Sequence, residues 1–196
     1  MPKLDEREFW NEKFSSGSHG PTEPDPFLVN AYRDYVGPLL GAGKGRKALD
    51  LAGGTGRHAI FLAERGWMVT LLDVSDVGLD RAKAEAARQG LSLDLRREDA
   101  SQAALGNKQF DLIVVVFFLE RELFPAVRAA LKPGGLLVYK TYTAEHTRLS
   151  GGKGPKHPMH LLGRNELLRT FESLEVLFYR ETVTEKGVAE LVAHRT

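Results

Sequence analysis

Residues 48–62 read ALDLAGGTGRHAIFL, and this stretch decides the fold. An apolar run that ends in a carboxylate is followed by three glycines within four residues and then by apolar residues at helical spacing. This order predicts a strand, a tight loop and a helix. Glycines in such a loop let a ligand approach the backbone where a Cβ would collide, and the following helix points free N–H groups into the same space. The stretch therefore predicts a site for a nucleotide-like small molecule.

The glycine loop alone does not distinguish between two classes of cofactor. Residues 54–59 also fit the G-x-G-x-x-(G/A) pattern of dinucleotide-binding loops. Asp50, four residues before Gly54, favours S-adenosylmethionine, because a carboxylate would repel a pyrophosphate but attract an amine or a sulfonium. An NAD(P)-binding oxidoreductase remains open as the second interpretation.

A second acid ends the next predicted strand. Asp73 closes the apolar segment 67–73, where a carboxylate can accept hydrogen bonds from the hydroxyls of a ribose. The alternative is that Asp73 caps the following helix, but Ser75 is already placed for that role. We therefore expect Asp73 to bind ribose.

A third acid follows the more exposed strand pattern of residues 91–97. Asp99 is placed to accept a hydrogen bond from an adenine amino group, and Ala100 offers a backbone N–H to a ring nitrogen. The structural alternative is that Asp99 caps the turn beginning at Ser101.

Length and composition restrict the class of protein. A chain of 196 residues predicts one domain, residues 1–196, which is too small for a cofactor domain plus a separate substrate domain. The net charge of +1 gives no strong signal for nucleic-acid or membrane binding. With no cysteine, no apolar stretch of transmembrane length and a charged start, the sequence predicts a cytoplasmic protein.

About 45 residues precede the first strand. A helical pattern runs from Leu4 to Phe14, and Asp25-Pro26 is typical of the start of a second helix. We expect residues 1–45 to form a helical cover or lid over a substrate pocket, with Trp10 and Phe14 as pocket residues. The alternative is that these two rings only pack against the edge of the sheet.

The second half of the chain completes an α/β pattern. Residues 110–119 are the most apolar run and predict a central strand, residues 136–142 a fifth strand, and residues 174–182 and 188–194 a terminal hairpin. The expected fold is a Rossmann-like, seven-stranded, mostly parallel sheet of order 3-2-1-4-5-7-6, with the last strand antiparallel and helices on both faces.

A long polar connection spans residues 143–162. Its cationic residues could hold an anionic substrate if the chain folds back over the carboxyl edge of the sheet; they are Arg148, Lys153, Lys156, His157, His160 and, just beyond, Arg164. A solvated loop is the alternative. Three histidines, His146, His157 and His160, lack an acid partner at metal spacing, so we expect no metal site.

Five motifs, in order along residues 46–142, together resemble those of the class I S-adenosylmethionine-dependent methyltransferases. They are Asp50–Gly56, Asp73-Val74-Ser75, Asp99-Ala100, Phe110–Ile113 and Leu131–Leu137. Residues 10–14, 24–28 and 166–171 are similar to a small bacterial subgroup related to the tellurite-resistance methyltransferases. Ala52-Gly53 departs from that family, which more often has Gly-Cys.

The resemblance implies S-adenosylmethionine as cofactor and S-adenosylhomocysteine as product. It implies that Asp50 serves the methionine amino group, that Asp73 holds the ribose, and that Asp99 with Ala100 binds the adenine edge. The remaining implied cofactor contacts are Ala52, Gly53, Gly54, Thr55, Gly56, Val74, Ser75, Val116 through its carbonyl and Phe117 beside the sulfonium.

The acceptor is expected to be a small molecule that is anionic or soft, such as tellurite, selenite, a thiol or a small hydroxylated compound. Residues 117–120 read FFLE and lack the Asn-Pro-Pro-Tyr or Asp-Pro-Pro-Tyr tetrad, which argues against amino-group methylation of nucleic acids. His146 and Tyr142 are the candidate catalytic residues, with His146 as the candidate base, since a hydroxyl acceptor needs one. Phe118, His160 and Arg164 complete the candidate substrate pocket with Trp10 and Phe14. A methyltransferase acting on RNA or protein stays open, as does the choice between monomer and homodimer.

Overall fold

The structure is a computed structural model that describes residues 5–17, 22–149, 151 and 154–196. Seven strands form one sheet of order β3-β2-β1-β4-β5-β7-β6. Strands β1 to β5 are parallel, and β7 runs antiparallel to both β5 and β6. The predicted fold and strand order are therefore confirmed. The strands are β1 Lys47–Leu51, β2 Met68–Asp73, β3 Asp94–Arg97, β4 Phe110–Val116, β5 Leu131–Tyr142, β6 Glu175–Val183 and β7 Gly187–His194.

Helices cover both faces of the sheet. Alternating side chains of β5 show the two layers: Leu137 and Tyr139 pack on the face of α6 and α8, whereas Leu136 and Val138 pack on the face of α2 and α4. Every residue of β4 is buried, as expected for a central strand covered on both sides. The helices are α1 Glu6–Ser15, α2 Pro26–Ala31, α3 Gly37–Leu40, α4 Arg57–Ala63, α5 Asp76–Arg88, α6 Phe124–Ala130, α7 His146–Leu149 and α8 Glu166–Thr170.

Two helix starts follow the predicted chemistry. The Asp25 side chain accepts a hydrogen bond from the N–H of Phe27, and Pro26 occupies the first turn of α2. Ser75 caps α5, because its hydroxyl accepts the N–H of Gly78. Between α2 and α3 the chain continues through a π-helical turn, Tyr32–Val36. Residues 26–40 therefore form a continuous helical segment, and a short loop connects it to β1.

Strand β5 begins earlier than the sequence pattern predicted. Leu131 already pairs with Phe110, and the pairing then shifts before Leu112 meets Leu136. The Pro-Gly-Gly segment after Lys132, a composition typical of a turn, is held in the sheet by Arg195, whose N–H donates to the Gly135 carbonyl. A tertiary contact from the far end of the chain therefore overrides the local turn signal.

Asp111, on β4, fastens this irregular start of β5. Its Oδ2 accepts hydrogen bonds from the N–H of Lys47 at 2.9 Å and from Nζ of Lys132 at 2.8 Å. Burial opposes ionisation of this carboxyl, but Lys132, the Lys47 N–H and Arg46 outweigh it and lower its pKa. Asp111 thus joins β1, β4 and β5 at the amino end of the sheet.

Replacing Asp111 with asparagine should destabilise the fold at neutral pH by about 1–3 kcal/mol, because a charge-assisted network is lost. Because the folded-state pKa is lowered, the contribution of Asp111 is complete above the unfolded pKa of about 4 and disappears as the pH falls through the folded value. Urea unfolding of both proteins from pH 7 to pH 3 should show the stability difference shrinking with acid. Asp34→Asn, at an exposed carboxylate, is the control, and a pH-independent difference would contradict the assignment.

Candidate active site

The glycine loop joins β1 to α4 and adopts the tight geometry that its sequence predicts. The backbone is left-handed at Gly54 and Gly56 and also at Ala52, where φ is +54°. A Cβ at Gly53 would collide with the Asp50 carboxylate, and one at Gly56 would lie 2.7 Å from Cβ of Ala82 on α5. The glycines are therefore required for the loop to close over the end of β1 and against α5.

Asp50 lies beneath this loop and is 1% exposed. Its Oδ2 accepts the N–H of Ala59 at 3.0 Å. Its buried Oδ1 has no hydrogen-bond partner among the described residues and lies 3.8 Å from Nδ1 of His58. A buried carboxylate with an unused oxygen suits a cationic ligand group, so the loop fits the amine and the sulfonium of S-adenosylmethionine. The sequence analysis did not single out His58, which is itself buried.

Asp73 also holds the loop. Its Oδ2 accepts the N–H of Gly54 at 2.7 Å, and its Oδ1 accepts the N–H of Ser75 at 2.8 Å. Burial raises the pKa of Asp73; the N–H groups of Ser75 and Gly54 oppose the rise, and the charge of Asp50 adds to it. The Asp73 carboxylate thus connects the glycine loop to the start of α5. Val74, the next residue, is half-buried. The ribose role remains a prediction.

Asp99 follows β3 and is exposed, whereas Ala100 is buried. The Asp99 side chain accepts hydrogen bonds from the N–H and the hydroxyl of Ser101, and so caps a single 3-10 turn. Capping of the turn at Ser101, the alternative role of Asp99, is therefore observed. Adenine binding by Asp99 and Ala100 stays a prediction, since a capping carboxylate retains a second oxygen.

An aromatic group of residues lies where β4 and β5 end. Phe117 has φ of +60°, which is strained for a residue with a bulky side chain, and its N–H donates to the Lys140 carbonyl at 2.7 Å. Its ring stacks on Tyr142 at 4.7 Å between centroids, and Tyr142 in turn contacts the buried ring of His146 at 4.2 Å. The two candidate catalytic residues therefore lie together, beside the predicted sulfonium wall and the end of Val116.

A buried ion cluster, which sequence reasoning missed, supports this aromatic group. Lys140 on β5 donates to both oxygens of Asp25, at 2.9 and 3.2 Å, and lies 3.2 Å from Glu190 on β7. Arg180 binds the other oxygen of Glu190. The ammonium of Lys140 is also 5.4 Å from the centre of the Phe117 ring. The only signal in the sequence was a lysine within an otherwise apolar strand.

The N-terminal aromatic residues reach the glycine loop. Phe14 is buried, and a Cβ at Gly54 would lie 2.8 Å from its ring. Trp10 stacks on Phe14 at 5.7 Å, and Asn11 on the same helix accepts the hydroxyl of Ser75 at 2.6 Å. Helix α1 therefore packs over the loop and the start of α5 rather than against the edge of the sheet. Leu4, the predicted first residue of this helix, lies outside the described residues.

The other three candidate pocket residues lie in different surroundings. Phe118 packs on the face of the sheet that carries α6, and its carbonyl accepts the hydroxyl of Tyr139. His160 is exposed in a 3-10 turn, and Arg164 lines a separate cleft with Arg148 and Glu181. In the described part of the chain, no hydrogen bond or ion pair links these three side chains to the glycine loop. Lys153, from the same cationic segment, lies outside the described residues.

The described residues hold neither grouped metal ligands nor a helix that could span a membrane. Within residues 5–17, 22–149, 151 and 154–196, no three histidine, cysteine or acidic side chains are grouped as metal ligands. None of the helices in those ranges is long and apolar enough to cross a membrane.

Comparison with known proteins agrees with this geometry. A family described as a methyltransferase domain matches residues 48–135. The chain is 32% identical over 142 residues to the tRNA 5-carboxymethoxyuridine methyltransferase of Escherichia coli, covering 68% of this chain and 54% of that protein. It is 32% identical over 125 residues to a ubiquinone biosynthesis O-methyltransferase of Actinobacillus pleuropneumoniae, covering 58% and 53%. The chain thus spans about half the length of these relatives.

Solved structures add evidence on the fold. TehB from Haemophilus influenzae superposes with a TM-score of 0.70 at 16% identity, over 95% of this chain and 67% of TehB. Fold and site therefore define a Rossmann-like nucleotide-binding protein whose strand-end acids suit S-adenosylmethionine. Residues 48–135 match a methyltransferase domain, and the class I S-adenosylmethionine-dependent methyltransferase fold that the motifs predicted is confirmed.

Asp73→Asn should weaken the binding of S-adenosylhomocysteine by roughly 10- to 100-fold, because one amide oxygen cannot serve both backbone N–H groups and a ribose. Isothermal titration calorimetry on the folded variant measures this. Asp80→Asn, at an exposed position of α5, serves as the control. Unchanged affinity in Asp73→Asn would remove Asp73 from the cofactor site.

Proposed function

We propose that the protein transfers the methyl group of S-adenosylmethionine to a small acceptor that is anionic or soft. This proposal rests on one observation: two chemically different groups of side chains lie at the same edge of the sheet. Buried carboxylates, Asp50 and Asp73, end β1 and β2, whereas the stacked rings of Phe117 and Tyr142 end β4 and β5, beside the ion-paired ammonium of Lys140. The carboxylates suit a cofactor that carries an amine and a sulfonium, and the aromatic rings suit a nucleophile.

Each part of the cofactor has a candidate partner. Asp50 would serve the amine and Asp73 the ribose, while Phe117 would flank the sulfonium. The other residues proposed to hold it are Ala52, Gly53, Gly54, Thr55, Gly56, Val74, Ser75, Asp99, Ala100 and the carbonyl of Val116. When bound, S-adenosylmethionine supplies an electrophilic methyl group on a positively charged sulfur.

The chain's own residues contribute orientation and the exclusion of water. The rings of Phe117 and Tyr142 form an apolar wall, and Phe14 covers the glycine loop on the other side. Holding two reactants in line in such a site can lower a barrier by about 7–11 kcal/mol. Positioning can therefore supply most of the rate enhancement for methyl transfer.

The titratable groups near this wall favour an acceptor that needs no base. Burial raises the pKa of Tyr142, and Asp25 reinforces the rise against Arg57, so the hydroxyl stays protonated and acts as a donor. The carboxylates of Asp25 and Glu190 are both ion-paired with Lys140, so neither serves as a general base. A thiolate, selenite or tellurite is already ionised and fits these conditions. For a hydroxyl acceptor, His146 remains the candidate base.

A tRNA acceptor is the second candidate, because one relative is named as a tRNA methyltransferase. The exposed side chains of Arg148, Lys156, His160 and Arg164 would then form the docking surface. Binding through them should weaken steeply with salt, because phosphate contacts release counterions.

Methyl-labelled S-adenosylmethionine separates the two candidates. Purified protein is incubated in turn with selenite, tellurite, mercaptoacetate, 2-mercaptoethanol, a hydroxybenzoate, total tRNA and denatured protein. Label in a small product, inhibited by S-adenosylhomocysteine, is the expected result. Label only in RNA or protein would contradict the proposal.

We also propose that residues 1–45 act as a helical cover over the cofactor. The supporting contacts are Phe14 on Gly54 and the ion pair of Arg7 with Asp76, which is partly exposed and therefore weak. Helix α1, attached by one buried ring, the hydrogen bond between Asn11 and Ser75 and surface contacts, can open without unfolding the sheet.

Phe14→Ala should speed the dissociation of S-adenosylhomocysteine about 10-fold or more, because the ring that shields the loop contributes about 1.5–3 kcal/mol of apolar burial. Surface plasmon resonance measures the rate. Phe9→Ala, an exposed ring on the same helix, is the matched control. An unchanged rate in a variant that retains its helical circular dichroism would argue against a cover.

A further inference from the structure

Arg57 is a half-buried cation at the carboxyl edge that neither the sequence analysis nor the proposed cofactor contacts use. It is the first residue of α4, directly after the glycine loop. Its Nη1 donates to the carbonyl of Glu23 at 3.2 Å, which is its one recorded hydrogen bond. Among the described residues, no carboxylate lies within ion-pair distance of it. A guanidinium that loses water without gaining a carboxylate partner is suited to bind an anion from outside.

The charged groups near Arg57 indicate where in the site its guanidinium lies. Burial lowers the pKa of the guanidinium, and the charges of Asp25, Asp50 and Tyr142 act in the opposite direction. Asp25 and Tyr142 belong to the β5 side, since Lys140 on β5 binds Asp25. The sheet order places β5 on the opposite side of β1 from β2 and β3, which carry Asp73 and lead into Asp99. Arg57, the first residue after the glycine loop, therefore lies near both Asp50 beneath the loop and the group of Asp25 and Tyr142 on the β5 side.

The other buried cation at this end is already neutralised. Lys140 contacts both Asp25 and Glu190, so its three donors have partners. Arg164, expected from the sequence to hold an anion, lines a separate cleft. Arg57 has no such carboxylate partner among the described residues, and its planar fork matches the two oxygens of a carboxylate or of a selenite-like oxyanion.

We propose that Arg57 binds the anionic group of the methyl acceptor, with the Tyr142 hydroxyl as a second donor, so that the enzyme selects small acceptors carrying a carboxylate or an oxyanion. This inference rests on the proposed function and specifies its substrate class. Arg57 is thereby a specificity residue that touches substrate, while Lys140 and Asp25 position the wall beside it.

The first test measures binding without turnover. Selenite is titrated by calorimetry into protein saturated with S-adenosylhomocysteine. Arg57→Met should weaken selenite binding roughly 10- to 100-fold, and Arg57→Lys less, because lysine keeps the charge but loses the fork. Arg33→Met, at an exposed arginine paired with Asp34, is the control.

Separate titrations of mercaptoacetate and of S-adenosylhomocysteine accompany that of selenite, and three results would overturn the inference. One is an unchanged selenite affinity in Arg57→Met. Another is a fall in S-adenosylhomocysteine affinity by the same factor, which would assign Arg57 to the cofactor's own carboxylate. The third is a wild-type protein that binds neither selenite nor mercaptoacetate.

The second test compares two thiols that differ by a carboxylate. Arg57→Met should raise the KM for mercaptoacetate roughly 10- to 100-fold with little change in kcat, while kinetics with neutral 2-mercaptoethanol stay as in wild type. Equal effects on both thiols would contradict anion recognition. If no acceptor is methylated, the proposed function fails, and the calorimetry still decides the role of Arg57.

Discussion

The structure depends on two buried carboxylates that are bound by backbone N–H groups at the ends of neighbouring strands. Asp50 accepts the N–H of Ala59, and Asp73 accepts those of Gly54 and Ser75. These bonds connect β1, β2, the glycine loop, α4 and α5. Because a buried carboxylate is costly without such donors, the loop conformation and the charge pattern stabilise each other. A left-handed Ala52 is tolerated within this network.

A second charge cluster stabilises the carboxyl ends of β4 and β5, as these carboxylates stabilise the ends of β1 and β2. Lys140 joins the start of α2 to β5 and β7 through Asp25 and Glu190. Its carbonyl also fixes the N–H of Phe117 in a left-handed conformation. Breaking one partner would leave an uncompensated charge among buried groups, so the helical N-terminus, the aromatic wall and the last strand are coupled. The site is thus assembled from segments that are far apart in sequence.

The sequence could predict those features that depend on local chemistry. Periodicity and glycine spacing predicted the strands and the glycine loop, and Ser75 and Asp25 were recognisable as helix caps. Contacts between residues far apart in sequence could not be predicted. Lys140 and Asp25 are 115 positions apart, and no local pattern indicates their contact. The early start of β5 depends likewise on Arg195. His58 and Arg57 were part of the quoted motif, but only burial and the positions of nearby carboxylates distinguish a packing histidine from an unpaired guanidinium.

The charge balance of the site bears on the proposed acceptor. Methyl transfer from a sulfonium to an anion removes one positive and one negative charge as the transition state forms. Low-dielectric surroundings disfavour the separated charges of the reactants more than the neutralised transition state, provided that fixed groups hold the anion in place. The aromatic wall of Phe117 and Tyr142 supplies such surroundings, and the guanidinium of Arg57 supplies a fixed partner. A cationic acceptor would meet the opposite conditions, since it would face an unpaired guanidinium and gain nothing from desolvation.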